Sequence, residues 1–231
     1  MGTIAERLKI ALETIKGSVS EANRPVNSVK LLAVSKTKPV SDIRQAYEAG
    51  HRLFGENYVQ EGVEKIQQLA DLTDIEWHFI GPIQSNKTRL VAETFAWVQS
   101  IDRLKIAQRL NQQREPHKTL NVCIQVNIDQ ELSKAGVVEN EVLPLAEALS
   151  SLQNLTLRGL MAIPEAGQSL VRQQQSFRRM QLLFAQLQTK HPQVDTLSMG
   201  MSNDMQLAIE SGSTMVRVGT AIFGTRNKAK S

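Results

Sequence analysis

A lysine at the end of a buried strand can do covalent chemistry, and this sequence places one at Lys36. It follows Val29–Ser35 (VKLLAVS), a continuous apolar run of the kind that forms a strand covered on both faces. Desolvation disfavours an ammonium, so a lysine held in a dry wall can stay neutral and condense with a carbonyl as a Schiff base. The plainer alternative is a lysine emerging into solvent beside Lys38. A second group suits an anion. Ser198-Met199-Gly200-Met201-Ser202-Asn203-Asp204 follows a short strand and opens a helix, and Gly219-Thr220 follows another strand. Helix N-termini offer unpaired N–H groups and a positive dipole end, so the two loops together suit a phosphate. Alternatively, Ser202 is an ordinary N-cap and the glycines are turn residues. Arg217 lies inside Met215–Val218 (MVRV), where a buried guanidinium needs a ligand or an internal ion pair. With Val216 and Val218 facing outward, it would point into the interior. Asn57 ends a further strand, as a ligand neighbour or a turn former. His78 reads as a satisfied core imidazole, Met161 as packing and Cys123 as inert core. The four histidines show no metal-ligand spacing with Cys123 or the carboxylates, and no Gly-x-Gly-x-x-Gly, Walker loop or nucleophile elbow occurs.

These residues need elements to position them. Short apolar runs recur at Val29–Ser35, Arg52–Gly55, Ile75–Ile80, Phe95–Ile101, Leu120–Ile128, Thr156–Ile163, Thr196–Met199 and Met215–Val218. Helical patterns separate them: from Ser41 as cap to Ala49, Val59–Leu69, Asn86–Glu93, Asp102–Arg114, Glu139–Leu152, a long pattern through Phe177 and Leu187, and Asn203–Ser211. An amphipathic helix over Thr3–Ala22 precedes them all, with Thr3 and Glu6 as a capping box. Alternation of this kind means parallel βαβ units, and eight of them suggest a single α/β domain over residues 1–231, a (β/α)8 TIM barrel with an extra N-terminal helix. A doubly wound open sheet is the structural alternative. In a barrel, Lys36, Asn57, Ser198, Gly200, Gly219 and Thr220 all fall at the C-terminal ends of strands, where such folds carry their sites.

Composition removes other classes. The 231 residues are 41% hydrophobic and 22% charged, an ordinary globular balance. The net charge of +4 comes from dispersed basic residues, which argues against a nucleic-acid reader. A single cysteine excludes an intrachain disulfide, and no leader or membrane-length apolar run is present, so the expected location is cytoplasmic.

Longer motifs then stand out: AVSKTKP around Lys36, FGENYVQE at Phe54–Glu61, WHFIGPIQSNK at Trp77–Lys87 and SIDR at Ser100–Arg103. They continue with QVNI at Gln125–Ile128, GLMAIP at Gly159–Pro164, LSMGMSNDMQLAIESGST at Leu197–Thr214 and VRVGTAIFGTR at Val216–Arg226. With these motifs in this order, from Ile4 to Arg226, the chain resembles the pyridoxal phosphate homeostasis protein family, the YggS/PROSC type. One departure is Ile83, where the family pattern has Leu. The resemblance implies a single barrel similar to the alanine racemase N-terminal domain, binding pyridoxal 5′-phosphate (PLP). It implies that Lys36 holds PLP as an aldimine, that Ser198, Gly200, Gly219 and Thr220 form the phosphate loops, that Arg217 faces the pyridine nitrogen, and that Asn57 neighbours the ring. A guanidinium only donates hydrogen bonds, so it would favour an unprotonated ring and weaken PLP as an electron sink. Related racemases add a β-domain that supplies a catalytic tyrosine. Here the tyrosines are Tyr47, expected in mid-helix, and Tyr58, just after the second strand. The expectation is therefore a monomeric PLP-binding protein of vitamin B6 and amino-acid homeostasis without turnover, with PLP-dependent apoenzymes as acceptors. The alternatives are a PLP-dependent racemase-like enzyme and, setting the resemblance aside, a Schiff-base aldolase acting on a sugar phosphate.

Overall fold

The computed structural model describes residues 2–131, 134–165 and 167–225; Arg226, the last residue of the final motif, lies outside them. Eight strands alternate with helices along the chain. They are β1 (Lys30–Val34), β2 (Leu53–Glu56), β3 (Glu76–Phe79), β4 (Trp97–Ile101), β5 (Leu120–Val126), β6 (Leu155–Ala162), β7 (Thr196–Ser198) and β8 (Met215–Val218). Every neighbouring pair is parallel and the sheet closes, β1 pairing with β8 from Lys30↔Met215 to Ala33↔Val218. The barrel is thus the closed form, not the open sheet.

The helices are α1 (Ile4–Glu21), α2 (Val40–Glu48), α3 (Val59–Gln68), α4 (Thr88–Thr94), α5 (Leu104–Gln113), α6 (Glu139–Ser150), α7 (Leu170–Lys190), α8 (Met205–Glu210) and α9 (Thr220–Phe223). α1 opens with the expected capping box, Thr3 Oγ1 accepting from Glu6 N–H and Glu6 accepting from Thr3 N–H. It closes the outer ring beside α8 and α9: the Arg7 side chain donates to Ile222 O at 2.6 Å, and Arg24 donates to Ile209 O and Ser213 O at 2.7 Å. The four-residue α9 is too short to cover the β8–β1 seam alone, so the N-terminal helix takes that place.

Three local expectations are corrected. α2 begins at Val40 with Pro39 in the N-cap position, so Ser41 lies inside the helix. Proline fixes the extended backbone that a cap needs, and its missing N–H removes one unpaired donor. Ser202 does not cap α8 either. Asp204 stands at that position, and its carboxylate accepts from Met201 N–H at 2.5 Å. The expected helix from Asn86 is split into a 3₁₀ turn (Ser85–Lys87) and α4.

The core has two parts. Strand residues such as Val98, Val122, Ile124, Leu160, Val216 and Val218 face the helices. Their alternate neighbours face the barrel lumen, where Trp97, Cys123 and Met161 form a small separate cluster. The lumen also holds an unusual number of polar groups for a packed barrel. His78, Gln99, Ser198 and Arg217 are all buried there, and His78 stacks on Trp97 with ring centroids 4.9 Å apart.

Candidate functional site

The seven residues singled out by the sequence come from four adjacent strands, β7-β8-β1-β2: five stand along one arc of the C-terminal rim, and Ser198 and Arg217 lie in the layer beneath it. Lys36 is half-buried in the turn directly after β1. Its two neighbours are clamped. Ser35 N–H donates to Gly55 O at 3.0 Å, and Ser35 Oγ donates to Glu56 Oε1 at 2.5 Å. Thr37 holds a left-handed φ of 62° and donates its N–H to Glu61 Oε1 at 2.5 Å. Lys65, on α3, ties the clamp together: its Nζ lies 2.7 Å from Ser35 O, 2.8 Å from Glu56 Oε1 and 2.6 Å from Glu61 Oε1. Glu56 is fully buried, and burial pushes its carboxyl above the usual range, opposed by the Lys65 charge.

The β8 side of the rim abuts the β1 side. Gly219 approaches the end of β1 so closely that a Cβ there would stand 3.2 Å from Val34 O. Lys38 donates from Nζ to Thr225 O at 2.7 Å, bridging the same two loops. Thr220 is exposed and opens α9. Gly200, after β7, has φ 96°, and its carbonyl accepts from Arg217 N–H at 3.0 Å. Asn57, half-buried after β2, lines a rim cleft of about 340 Å³ with Ile80, Pro82, Gln125, Asn127 and Ile163. A larger cleft of about 860 Å³ lies on the outside between α7 and α8 and contains none of the expected residues.

Arg217 does point into the lumen. Its Nη1 donates to Ser198 Oγ at 2.8 Å and its Nη2 to Ala162 O at 2.9 Å. The guanidinium therefore reaches from β8 across the last residues of β7 and β6, which puts it in the layer just beneath the mouth. Its described side-chain partners are neutral oxygens. Burial pushes its pKa down to about 10, opposed by the negative charge of Asp204, so it remains charged at neutral pH. Ser198, the last residue of β7, is fully buried and also donates to Gln99 Oε1 at 2.7 Å. His78 is the satisfied core imidazole expected, with Glu76 on one nitrogen and Gln99 on the other, each at 3.0 Å. Burial holds it below the ordinary histidine value, hence neutral. Burial likewise pushes the Cys123 thiol up, which keeps it unreactive.

Sequence reasoning missed Glu56, Glu61, Lys65 and Gln99. A signal was present for two of them, because Glu56 and Gln99 interrupt otherwise apolar strands (LFGE and WVQSI). Lys65 and Glu61 sit on an amphipathic helix, where charged residues look like a solvated face. Tyr47 lies away from the rim, its hydroxyl donating to Asp74 at 2.6 Å, and Tyr58 is half-exposed at the start of α3. Among the described residues, no three His, Cys, Asp or Glu side chains are grouped to hold a metal, and no helix is long and apolar enough to cross a membrane.

Comparison with known proteins adds the following. A family model described as the alanine racemase N-terminal domain matches residues 10–227. A protein of Pasteurella multocida named pyridoxal phosphate homeostasis protein is 58% identical over 99% of this chain and 100% of its own length. The solved structure of PipY from Synechococcus elongatus with PLP bound superposes with a TM-score of 0.83 at 40% identity, covering 96% of this chain and all of that one. Alanine racemase of Corynebacterium glutamicum shares the fold at 17% identity and a TM-score of 0.72, with 99% of this chain matching 62% of that longer one.

Proposed function

The chain belongs to the pyridoxal phosphate homeostasis protein family, within the alanine racemase N-terminal-domain family, and on that premise we propose that it binds PLP at the rim described above. Its role is to hold PLP for intracellular vitamin B6 and amino-acid homeostasis. The observation that carries this reading is the placing of Lys36, Asn57, Gly200, Gly219 and Thr220 on one arc, with Arg217 and Ser198 just beneath it. The donor set fits the ligand by its own chemistry. It offers a primary amine for an aldehyde, a guanidinium for a ring nitrogen, and hydroxyl and backbone groups beside Gly219, where an added Cβ would crowd Val34 O at 3.2 Å. PLP, when bound, supplies an aldehyde that condenses with amines and a ring that draws electrons.

In this proposal Lys36 Nζ carries the cofactor covalently, and the clamp on Ser35 and Thr37 fixes where that amine stands. Gly200, Gly219 and Thr220 serve the phosphate, with Ser198 at the base of the same loop, its hydroxyl proton already given to Gln99, and Asn57 lies beside the ring. Arg217, which can only donate, faces the ring nitrogen and keeps it unprotonated. That choice favours holding PLP over stabilising carbanions. The absence of turnover is part of the proposal, supported by the positions of the two tyrosines away from the arc or out at the helix start. So are a single domain over residues 1–231, a monomeric state, a cytoplasmic location and PLP-dependent apoenzymes as acceptors.

Titration of the purified protein with PLP tests the reading. The wild type is expected to turn yellow and bind one equivalent, and Lys36→Ala to lose the covalent adduct. A protein that takes up no PLP overturns the proposal. Incubation with amino acids in deuterated water separates it from a racemase, since exchange at Cα that depends on Lys36 would mean an enzyme.

A further inference from the structure

Five side chains from four strands form one line across the barrel lumen. Arg217 Nη1 donates to Ser198 Oγ at 2.8 Å, Ser198 Oγ donates to Gln99 Oε1 at 2.7 Å, Gln99 Nε2 meets His78 Nδ1 at 3.0 Å, and His78 Nε2 meets Glu76 Oε1 at 3.0 Å. The line runs from β8 to β7, β4 and β3. It begins beneath the mouth and ends on the barrel floor, because Glu76 is the first residue of β3, paired beside Leu53, the first residue of β2. Arg217, Ser198, Gln99 and His78 are buried, whereas the Glu76 side chain is 41% exposed.

The chemistry of the two ends dictates the direction of every bond between them. A guanidinium only donates, so the Ser198 hydroxyl accepts from it and has its own proton for Gln99 Oε1. The Gln99 amide then turns its NH₂ to His78, whose Nδ1 must accept. The ring proton sits on Nε2 and is donated to the Glu76 carboxylate. The reverse orientation of Gln99 fails, because it would place the His78 proton on Nδ1 and leave a bare Nε2 facing a carboxylate. Each donor is therefore used in one sense, from a buried cation to a carboxylate at the opposite end.

We propose that Glu76, His78, Gln99 and Ser198 are positioning residues for Arg217, a one-directional hydrogen-bond chain through the lumen that sets the guanidinium at the mouth from a carboxylate on the floor. Glu76 supplies the terminal acceptor of the chain, whereas the carboxylate whose charge acts on Arg217 directly is Asp204. The chain itself stands on this geometry alone; its effect on the ligand rests on the proposal that Arg217 faces PLP.

Two readouts on the full-length protein test it. In the ligand-free form, ¹⁵N signals of the His78 ring are expected to show a bare Nδ1 and a protonated Nε2. Gln99→Leu, which cuts the chain at its centre, is expected to abolish that preference. Should Gln99→Leu fail to fold, Glu76→Gln, at a partly exposed position, is expected to move the His78 Nε2 signal. In PLP titrations both variants are expected to weaken binding by about two- to thirtyfold, the range for residues coupled through a packed network, and to shift the visible band. A proton on Nδ1, or a Glu76→Gln protein with the wild-type His78 signal, overturns the chain. Wild-type affinity and band in Glu76→Gln, with the ring signal moved, overturn its coupling to the mouth. If the wild type binds no PLP, the functional proposal falls, and the ring signals still decide the chain.

Discussion

Lys65 shows how one side chain on an outer helix can hold a strand-end turn. It neutralises Glu56, which is completely buried, and braces Glu61 and the Ser35 carbonyl at the same time. Removing one partner of a buried pair leaves the other charge without compensation, at a cost of about 3–5 kcal/mol. Lys65→Met is therefore expected to lower the thermal midpoint sharply and to weaken PLP uptake. The double variant Lys65→Met/Glu56→Leu is expected to recover much of the stability. If the double variant is no more stable than Lys65→Met, the ion pair is not the reason. Gly200 is the second pressure point. It has φ 96°, and a Cβ would stand 2.5 Å from Ala208 Cβ. Gly200→Ala combines backbone strain with a clash against α8, each about 1–3 kcal/mol. The expected readout is a lower unfolding midpoint in denaturant, and an unchanged midpoint would mean that α8 shifts freely.

At the scale of elements, alternation of apolar runs with helical patterns was enough to read all eight strands and the barrel. Strand ends moved by a residue or two, because the outermost residues of an apolar run need not join the ladder. What could not be read were features set by neighbours far away in sequence. Ser41 looked like a cap, yet Pro39 already supplies the extended geometry. Ser202 looked like another, but α8 starts later, at Met205, with Asp204 in the N-cap position. The site showed the same division. Lys36 and Arg217 were readable because a cation next to or within an apolar strand is costly. Gln99 and Lys65 were not, because each takes its meaning from partners on other elements. The N-terminal helix was readable through to its cap, and Thr3→Ala is expected to cost about 1 kcal/mol. Because α1 closes the ring over α8 and α9, this loss should appear in global unfolding, measured by denaturant titration. Loss confined to fraying of α1 in hydrogen exchange would mean that the helix is not part of the cooperative unit.

For the molecule as a whole, two of the buried histidines, His51 and His78, set an acid limit. Burial holds both His51 and His78 below the ordinary value of 6.5. The unfolded chain therefore takes up their protons first, so stability is complete above 6.5 and falls as pH drops below it, by about 1.4 kcal/mol per pH unit for each group. Glu56, pushed the other way by burial, has the opposite sign, but it is common to wild type and variant and cancels in their difference. His51→Gln is expected to flatten the acid side of the stability profile, and an unchanged slope would contradict this. The central claim, that the barrel rim holds PLP on Lys36, is open to one direct measurement. Reduction of the PLP-loaded protein with borohydride, followed by mapping of the modified peptide, is predicted to place the label on Lys36 alone, within Ala33–Pro39. Label on another lysine, or none after loading, would contradict it.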